Sequence, residues 1–171
     1  MIILLMGVTG SGKTTVGKLL AAELGWRYYD ADDFHSSANV AKMKRGSPLD
    51  EGDRKPWLES LRALISDCLK RDENCVLACS ALKQSYRDYL LVGDQVRLVY
   101  LQGTRDLIQR RLAERSGHFM NPKLLESQFE ILEEPVGELT LDVSLPAARL
   151  VKRITEALDL GNSGTDAKDS S

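Results

Sequence analysis

Residues 1–14 read MIILLMGVTGSGKT and contain the most informative pattern of the chain. Ile2 to Met6 form a short, continuous apolar run, which is typical of a parallel strand buried on both faces. The pattern GxxxxGK[ST] follows at once, and Val16, Leu20 and Leu24 then recur at helical spacing. A strand that enters such a loop and a helix that leaves it predict a phosphate-binding βα unit.

Each residue type in this loop has a physical reason. Glycines let backbone N–H groups curve around phosphate oxygens, and the helix that begins near Lys13 adds the positive end of its dipole. We expect Lys13 to reach the β- and γ-phosphates and Thr14 to place its hydroxyl on Mg²⁺. The predicted ligands are therefore ATP and Mg²⁺, with the nucleotide bound by Gly7, Thr9, Gly10, Ser11, Gly12, Lys13, Thr14 and Thr15.

The bulk composition is that of an ordinary folded domain. The chain has 171 residues, of which 43% are hydrophobic and 28% charged, and its formal net charge is −2. This length suits one domain with a substantial core, and the charge gives no indication of a nucleic-acid or membrane partner. Cys68, Cys75 and Cys79 form no CxxC pair, so we expect reduced thiols in a cytoplasmic protein.

Strand and helix patterns alternate along the chain. Strands are predicted at 2–6, 26–29, 75–79, 96–101 and 139–143. Helices are predicted between them, one opened by Pro56 and another capped by Thr104. This alternation predicts a three-layer α/β fold, a five-stranded parallel sheet with helices on both faces. We expect residues 1–160 to form a single domain and the apolar-poor residues 161–171 to be a disordered tail.

Acidic residues follow the second predicted strand, at Asp30, Asp32 and Asp33. Phosphoryl transfer needs one group to position and deprotonate the attacking hydroxyl and another to help hold Mg²⁺. Residues two apart in an extended segment point the same way, so Asp30 and Asp32 are predicted to act as a pair. The alternatives are a solvated loop of turn-forming aspartates and a base at Asp33. His35, in the same segment, receives no role.

Arg54 and Lys55 precede Pro56, at the positive end of the predicted helix. Cations are unfavourable there by a few tenths of a kcal/mol up to about 1 kcal/mol. A bound anion makes the cations favourable at this position. Arginine offers a carboxylate two parallel N–H donors. The alternative is neutralisation by the acidic side chains at 50, 51 and 53.

Arg111 and Arg115 are four apart, so they lie on one face of a predicted helix. The polar break at Gly117 follows and predicts a mobile lid at about 115–130, whose arginines neutralise charge on the transferred phosphoryl group. The alternative is a solvated basic face. Ser80 and Lys83, after the third strand, either hydrogen-bond a substrate or form a turn in which Ser80 caps the next helix.

These blocks together resemble the bacterial-type gluconokinase family, a branch of the P-loop small-molecule kinases related to shikimate kinase. The resemblance runs from Ile3 to about Leu158. Its blocks are LMGVTGSGKTT (5–15), DADDFHSSANVAKM (30–43), GSPLDEGDRKPWL (46–58), CSALKQSYRD (79–88), RLAERSGHFM (111–120) and LLESQFEILEEP (124–135). The phosphate loop alone indicates the superfamily, whereas DRKPWL, CSALK and GHF in this order are far more discriminating.

The resemblance implies a P-loop kinase fold and transfer of the γ-phosphate of ATP to the 6-hydroxyl of D-gluconate by a homodimer. It implies that Asp32 sits beside the acceptor hydroxyl, that Arg54 grips the gluconate carboxylate, and that Thr14 and Asp30 hold the metal, in part through water. The catalytic residues would be Asp32, Lys13, Arg111 and Arg115, with Arg111 also contacting the nucleotide. The substrate-binding residues would be Asp32, Arg54, Ser80, Lys83, Arg87 and His118.

The residues themselves leave other functions open. A shikimate kinase or a nucleoside monophosphate kinase would use the same loop and lid with different residues between 34 and 58. A nucleotide-binding switch without turnover would need a DxxG-type element after the third strand and switch loops, and the sequence has neither.

Overall fold

A computed structural model describes residues 1–114 and 122–160 of the chain. The described part contains a five-stranded, entirely parallel sheet with the strand order β2-β3-β1-β4-β5. The strands are β1 (Ile2–Met6), β2 (Arg27–Asp30), β3 (Cys75–Ala78), β4 (Val96–Gln102) and β5 (Leu139–Asp142). The predicted sheet is confirmed, and the predicted strand bounds differ from these by at most one residue at either end.

The helices of the described residues are α1 (Lys13–Leu24), α2 (Ser37–Lys44), α3 (Glu51–Lys70), α4 (Gln84–Leu90), α5 (Arg105–Glu114), α6 (Pro122–Ile131) and α7 (Ala147–Ala157). Strand side chains alternate between the two faces of the sheet. Ile3 and Leu5 therefore pack in a cluster with α1 and α7, while Ile2, Leu4 and Met6 pack with α3. Helices cover both faces, which confirms the predicted three layers.

Strand β1 lies at the centre of this sheet. Every side chain from Ile2 to Met6 is fully buried, and the strand pairs with β3 on one side and β4 on the other. In open parallel sheets, ligands bind at the carboxyl ends of the strands, where the strand order reverses. The loop that leaves β1 stands at this point.

The long helix α3 begins earlier than the sequence predicts. It starts at Glu51, because Asp50 and Asp53 form a capping box in which each carboxylate accepts a hydrogen bond from the other's backbone N–H, at 2.8 and 3.0 Å. The box satisfies two of the free N–H groups at the helix start, and the helix continues through Pro56. Arg54 is consequently the fourth residue of the helix, and two of its acidic neighbours act as caps.

Two parts of the sequence prediction fall outside the described residues. Of the lid predicted at 115–130, residues 115–121 are not described, and the rest belongs to α6. The predicted tail at 161–171 is not described. Within residues 1–114 and 122–160, no helix is both long enough and apolar enough to cross a membrane.

Candidate active site

A cavity of about 610 Å³ opens at the carboxyl ends of β1, β2 and β3. It is bounded by the phosphate loop, by the segment after β2, and by side chains of α2, α3, α4 and α6. The lining includes Thr9, Lys13, Asp30, Asp32, His35, Arg54, Trp57, Ser80, Tyr86 and Gln128. The cavity thus gathers predicted nucleotide, metal and acceptor residues in one place.

The phosphate loop keeps its shape through glycine and Lys13. A Cβ on Gly7 would lie 2.8 Å from the carbonyl oxygen of Leu101, so a larger residue does not fit. Gly12 has φ 96°, in the left-handed region, directly before α1. The Lys13 Nζ donates to the carbonyls of Gly7 and Val8 at 2.9 and 3.0 Å. Burial lowers the pKa of Lys13, and the carboxylates of Asp32 and Asp30 oppose that shift.

Asp30 is held by three hydrogen bonds at the end of β2. Its Oδ2 accepts from the Thr14 hydroxyl at 3.3 Å and from the Tyr28 hydroxyl at 3.0 Å. Its Oδ1 accepts from the backbone N–H of Asp32 at 3.1 Å. Mg²⁺ prefers oxygen ligands such as hydroxyl and carboxylate groups. Thr14 and Asp30, the residues predicted to hold the metal, supply these groups in contact with each other and therefore fit Mg²⁺.

The segment after Asp30 is not extended, and the geometric premise for pairing the acids is wrong. Residues 31–34 form a 3-10 turn capped by the Asp30 carboxylate, which is the local hydrogen bonding that aspartate favours. The turn nevertheless leaves Asp30 and Asp32 in the cavity wall, while Asp33 is not among the described residues that line it. Burial raises the pKa of Asp32 and Asp30 adds to this, whereas Lys13 lowers it.

On the acceptor side, Arg54 is positioned by a short network. The Tyr86 hydroxyl donates to Glu51 Oε1 at 2.8 Å, and the same hydroxyl oxygen accepts from Arg54 Nη1 at 3.3 Å. The Lys83 Nζ lies 2.5 Å from Glu51 Oε1, which it neutralises. The network contacts Arg54 through Nη1, and the guanidinium also offers Nη2 and Nε as donors.

An aromatic pair forms part of the wall between these groups. The Trp57 indole N–H donates to the buried carbonyl of Ala31 at 2.7 Å. The imidazole of His35 stacks on the indole, with ring centroids 4.6 Å apart and an angle of 11° between the planes. Neither residue was predicted from the sequence to have a role in the site, and their place in the DRKPWL and DADDFH blocks was the available signal.

Helix α6, most of which falls within the range predicted for the lid, contributes the opposite wall, although none of its residues was predicted as a site residue. Leu124, Ser127, Gln128 and Ile131 all line the cavity. The Gln128 Oε1 accepts from the backbone N–H of Thr9 at 2.6 Å, so the helix is joined directly to the phosphate loop. No local pattern reveals this bond, because the two residues are 119 positions apart.

Three residues predicted to be catalytic or substrate-binding are not among the described residues that line the cavity. Lys83 is engaged by Glu51, and the Arg111 Nη2 donates to the carbonyl of Val143. The side chain of Arg87 is buried, and its Nη1 donates to the carbonyls of Ala81 and Leu82 at 2.9 and 3.0 Å. Arg115 and His118 lie outside the described residues.

The loop after β3 also differs from one sequence alternative. Ser80 is not a helix cap, because α4 begins at Gln84 with Lys83 as its N-cap. Ser80 instead lines the cavity, and its carbonyl accepts the N–H of Gly7 at 3.4 Å. The carbonyl bonds of Arg87 hold this loop in position next to the phosphate loop.

The fold and this site define a P-loop phosphotransferase that acts on a small molecule. Residues 9–137 match the family described as shikimate kinase. The chain belongs to that family, and to its gluconokinase branch. It is 44% identical to a probable gluconokinase of Mus musculus, over 92% of this chain and 97% of that protein. It is 39% identical to the thermosensitive gluconokinase of Escherichia coli K12, over 91% and 86%.

Solved structures agree with this assignment. A gluconokinase from Sinorhizobium meliloti superposes with a TM-score of 0.79 at 38% identity, covering 94% of this chain and 96% of that one. A sugar kinase from Janibacter gives 0.86 at 40% identity, covering 94% and 95%. Shikimate kinase from Aquifex aeolicus shares the fold, with a TM-score of 0.61 at 20% identity over 96% and 99%. The family resemblance inferred from the sequence is confirmed.

Arg87→Met tests whether this arginine is a structural clamp. The variant leaves two carbonyls without their donor, so we expect the free energy of unfolding to fall by about 2–4 kcal/mol. Urea denaturation measures it, with Arg110→Met on the exposed face of α5 as the control, for which about 0.5 kcal/mol or less is expected. Unchanged stability together with a raised KM for the acceptor would instead make Arg87 a substrate contact.

Proposed function

We propose that this protein is a gluconokinase, which transfers the γ-phosphate of ATP to the 6-hydroxyl of D-gluconate and releases 6-phospho-D-gluconate and ADP. The observation that carries the proposal is that Lys13, Asp32 and Arg54 line one cavity. Lys13 supplies a phosphate contact, Asp32 a proton acceptor and Arg54 an anchor for the carboxylate of the acceptor. The identity of 38–44% to named gluconokinases supports the same acceptor.

The donor end of the site is built by the phosphate loop. Its backbone N–H groups and the start of α1 face the β-phosphate, and Lys13 exchanges its carbonyl partners for phosphate oxygens. Thr14 and Asp30 would hold Mg²⁺, which supplies neutralisation of the phosphate charge when bound. Arg111 and Arg115 of the predicted lid would stabilise the negative charge that develops on the γ-phosphoryl group.

Asp32 acts on the acceptor hydroxyl. As O6 of gluconate bonds to the γ-phosphorus, its proton passes to the Asp32 carboxylate, and the bond from the γ-phosphorus to the β–γ bridging oxygen breaks. Burial raises the pKa of this carboxylate, and the charge of Lys13 lowers it. These opposing effects suit a group that must be charged before the reaction and accept a proton during it.

Arg54 binds the other end of the acceptor. Its Nη1 is used by Tyr86, and the rest of the guanidinium can meet a carboxylate with paired N–H donors. The side chain is 17% exposed, so the interaction is only weakly screened by solvent. Such an anchor favours a sugar acid over the uncharged polyol of the same length.

The remaining features are proposed on the family resemblance. We propose a homodimer in the cytoplasm, without nucleic-acid or membrane partners. All three cysteines are buried and unpaired, which suits a reducing compartment. Ser80 lines the cavity as a further acceptor contact, and Lys83 and His118 are proposed to reach the acceptor when the lid closes.

A coupled ADP-release assay across D-gluconate, shikimate and nucleoside monophosphates tests the acceptor. We expect turnover with D-gluconate and none above background with the others. A shikimate or nucleoside monophosphate kinase would invert this order. A nucleotide-binding switch would release no acceptor-dependent ADP.

Arg54→Met tests the carboxylate anchor. Removing a charged hydrogen bond of about 1.5–3 kcal/mol raises the KM for D-gluconate roughly 10- to 100-fold, and the KM for ATP stays unchanged. The control is Lys55→Met, the neighbouring exposed cation of α3. With D-glucitol, which lacks the carboxylate, the Arg54 variant and the wild type should perform equally. An equal loss with both acceptors would contradict the anchor.

Asp32→Asn tests the proton acceptor. The amide keeps the size of the side chain but cannot accept the proton, so we expect kcat to fall by several orders of magnitude with ATP binding retained. Nucleotide binding is followed by titration calorimetry. Asp33→Asn is the matched control, and a large loss there with full activity in Asp32→Asn would move the base to Asp33.

A further inference from the structure

His35 is held in the cavity wall by its neighbours. Its backbone N–H donates to the carbonyl of Asp32 at 3.3 Å and ends the 3-10 turn. Its ring lies flat against Trp57, which is itself fixed to Ala31 by the indole N–H. Within residues 1–114 and 122–160, the imidazole is thus oriented by stacking, which requires no ring nitrogen.

Neither ring nitrogen of His35 has a hydrogen-bond partner in the part of the chain that the structure describes. His35 Nδ1 is buried and has no hydrogen-bond partner among the described residues. A buried polar atom in this condition is unfavourable for folding, and a phenyl ring would stack on Trp57 without that cost. The stability of the wall therefore gives no reason for histidine at this position, whereas a ligand in the cavity does.

The position of the ring relates it to both ends of the proposed acceptor. His35 lines the cavity together with Asp32 and Arg54. Burial lowers its pKa, and the charges of Asp32 and Arg54 act on it in opposite directions. His35 ends the turn that contains Asp32, and its ring stacks on Trp57, which is three residues from Arg54 in α3. The ring therefore lies near both the group that meets the 6-hydroxyl and the group that meets the carboxylate.

We propose that His35 is a specificity-determining residue whose imidazole Nε2 hydrogen-bonds a hydroxyl in the middle of the acceptor's carbon chain. Nε2 is the ring nitrogen left to face a ligand, because Nδ1 is enclosed by protein. A neutral imidazole can donate or accept, and it therefore suits a hydroxyl better than a charged group does. The inference rests on the proposed function and adds recognition of the polyol to recognition of the carboxylate.

Three variants distinguish the contribution of the ring nitrogen to acceptor binding from the contribution of the stacked ring. His35→Phe keeps the stacking and removes both nitrogens, His35→Asn keeps a polar atom near the Nδ1 position, and His35→Gln keeps one near the Nε2 position. We expect the KM for D-gluconate to rise about tenfold in the Phe and Asn variants. The Gln variant should stay within about threefold of wild type, and kcat and the KM for ATP should change little in all three.

Acceptors that lack one hydroxyl identify which hydroxyl of D-gluconate His35 contacts, starting with the wild-type protein. Among the D-gluconate analogues that lack one hydroxyl at C2, C3, C4 or C5, we expect one at C3 or C4 to show the tenfold rise in KM. His35→Phe should add no further loss with that analogue, since the contact is already absent, but should add its full loss with the others.

The outcomes distinguish this inference from the proposed function. An unchanged KM for D-gluconate in His35→Phe, equal losses in the Gln and Phe variants, or additive losses with every analogue would overturn the role of His35 alone. A wild-type enzyme without turnover on D-gluconate would overturn the proposed function and this inference with it. A lowered Tm with unchanged KM would show that the ring serves only the wall.

Discussion

The burial of β1 is the constraint on which the rest of the molecule depends. Its side chains are inaccessible to solvent on both faces, and its backbone is paired on both edges. The strand cannot shift without breaking two ladders and exposing two cores. The loop that leaves it is therefore fixed in space, and Asp30 and Ser80 reach that loop because their strands end at the same edge of the sheet.

The charges at this edge depend on one another. Burial lowers the pKa of Lys13 and raises that of Asp32, and each group partly offsets the shift of the other. Their mutual attraction favours the charged form of each group and opposes the effect of burial. The site therefore holds a cation that can bind phosphate and a carboxylate that can accept a proton in one cavity.

Helix α3 builds much of the acceptor side from a few residues. Arg54 and Trp57 are three apart, so they share a helix face, and both line the cavity. The capping box of Asp50 and Asp53 decides where this helix begins. The indole then orients His35, and the Tyr86 hydroxyl orients Arg54, so that one helix places both the proposed anchor and the proposed polyol contact.

The βα unit around the phosphate loop, the five strands and the acids after β2 could be predicted from the sequence. These features follow from apolar runs, glycines and caps within a few neighbouring residues. Tertiary structure alone decided that Asp30 and Asp32 meet through a turn, that Gln128 reaches Thr9, and that Arg87 clamps carbonyls inside the fold. The bond of Gln128 joins segments 119 positions apart, and no local pattern contains that information. The turn after Asp30 and the bonds of Arg87 are local in sequence, but the burial of Arg87 and the place of both carboxylates in one cavity wall depend on how the elements pack. For the phosphate loop, the prediction from the sequence and the tertiary structure agree, because the backbone of the loop itself performs its function.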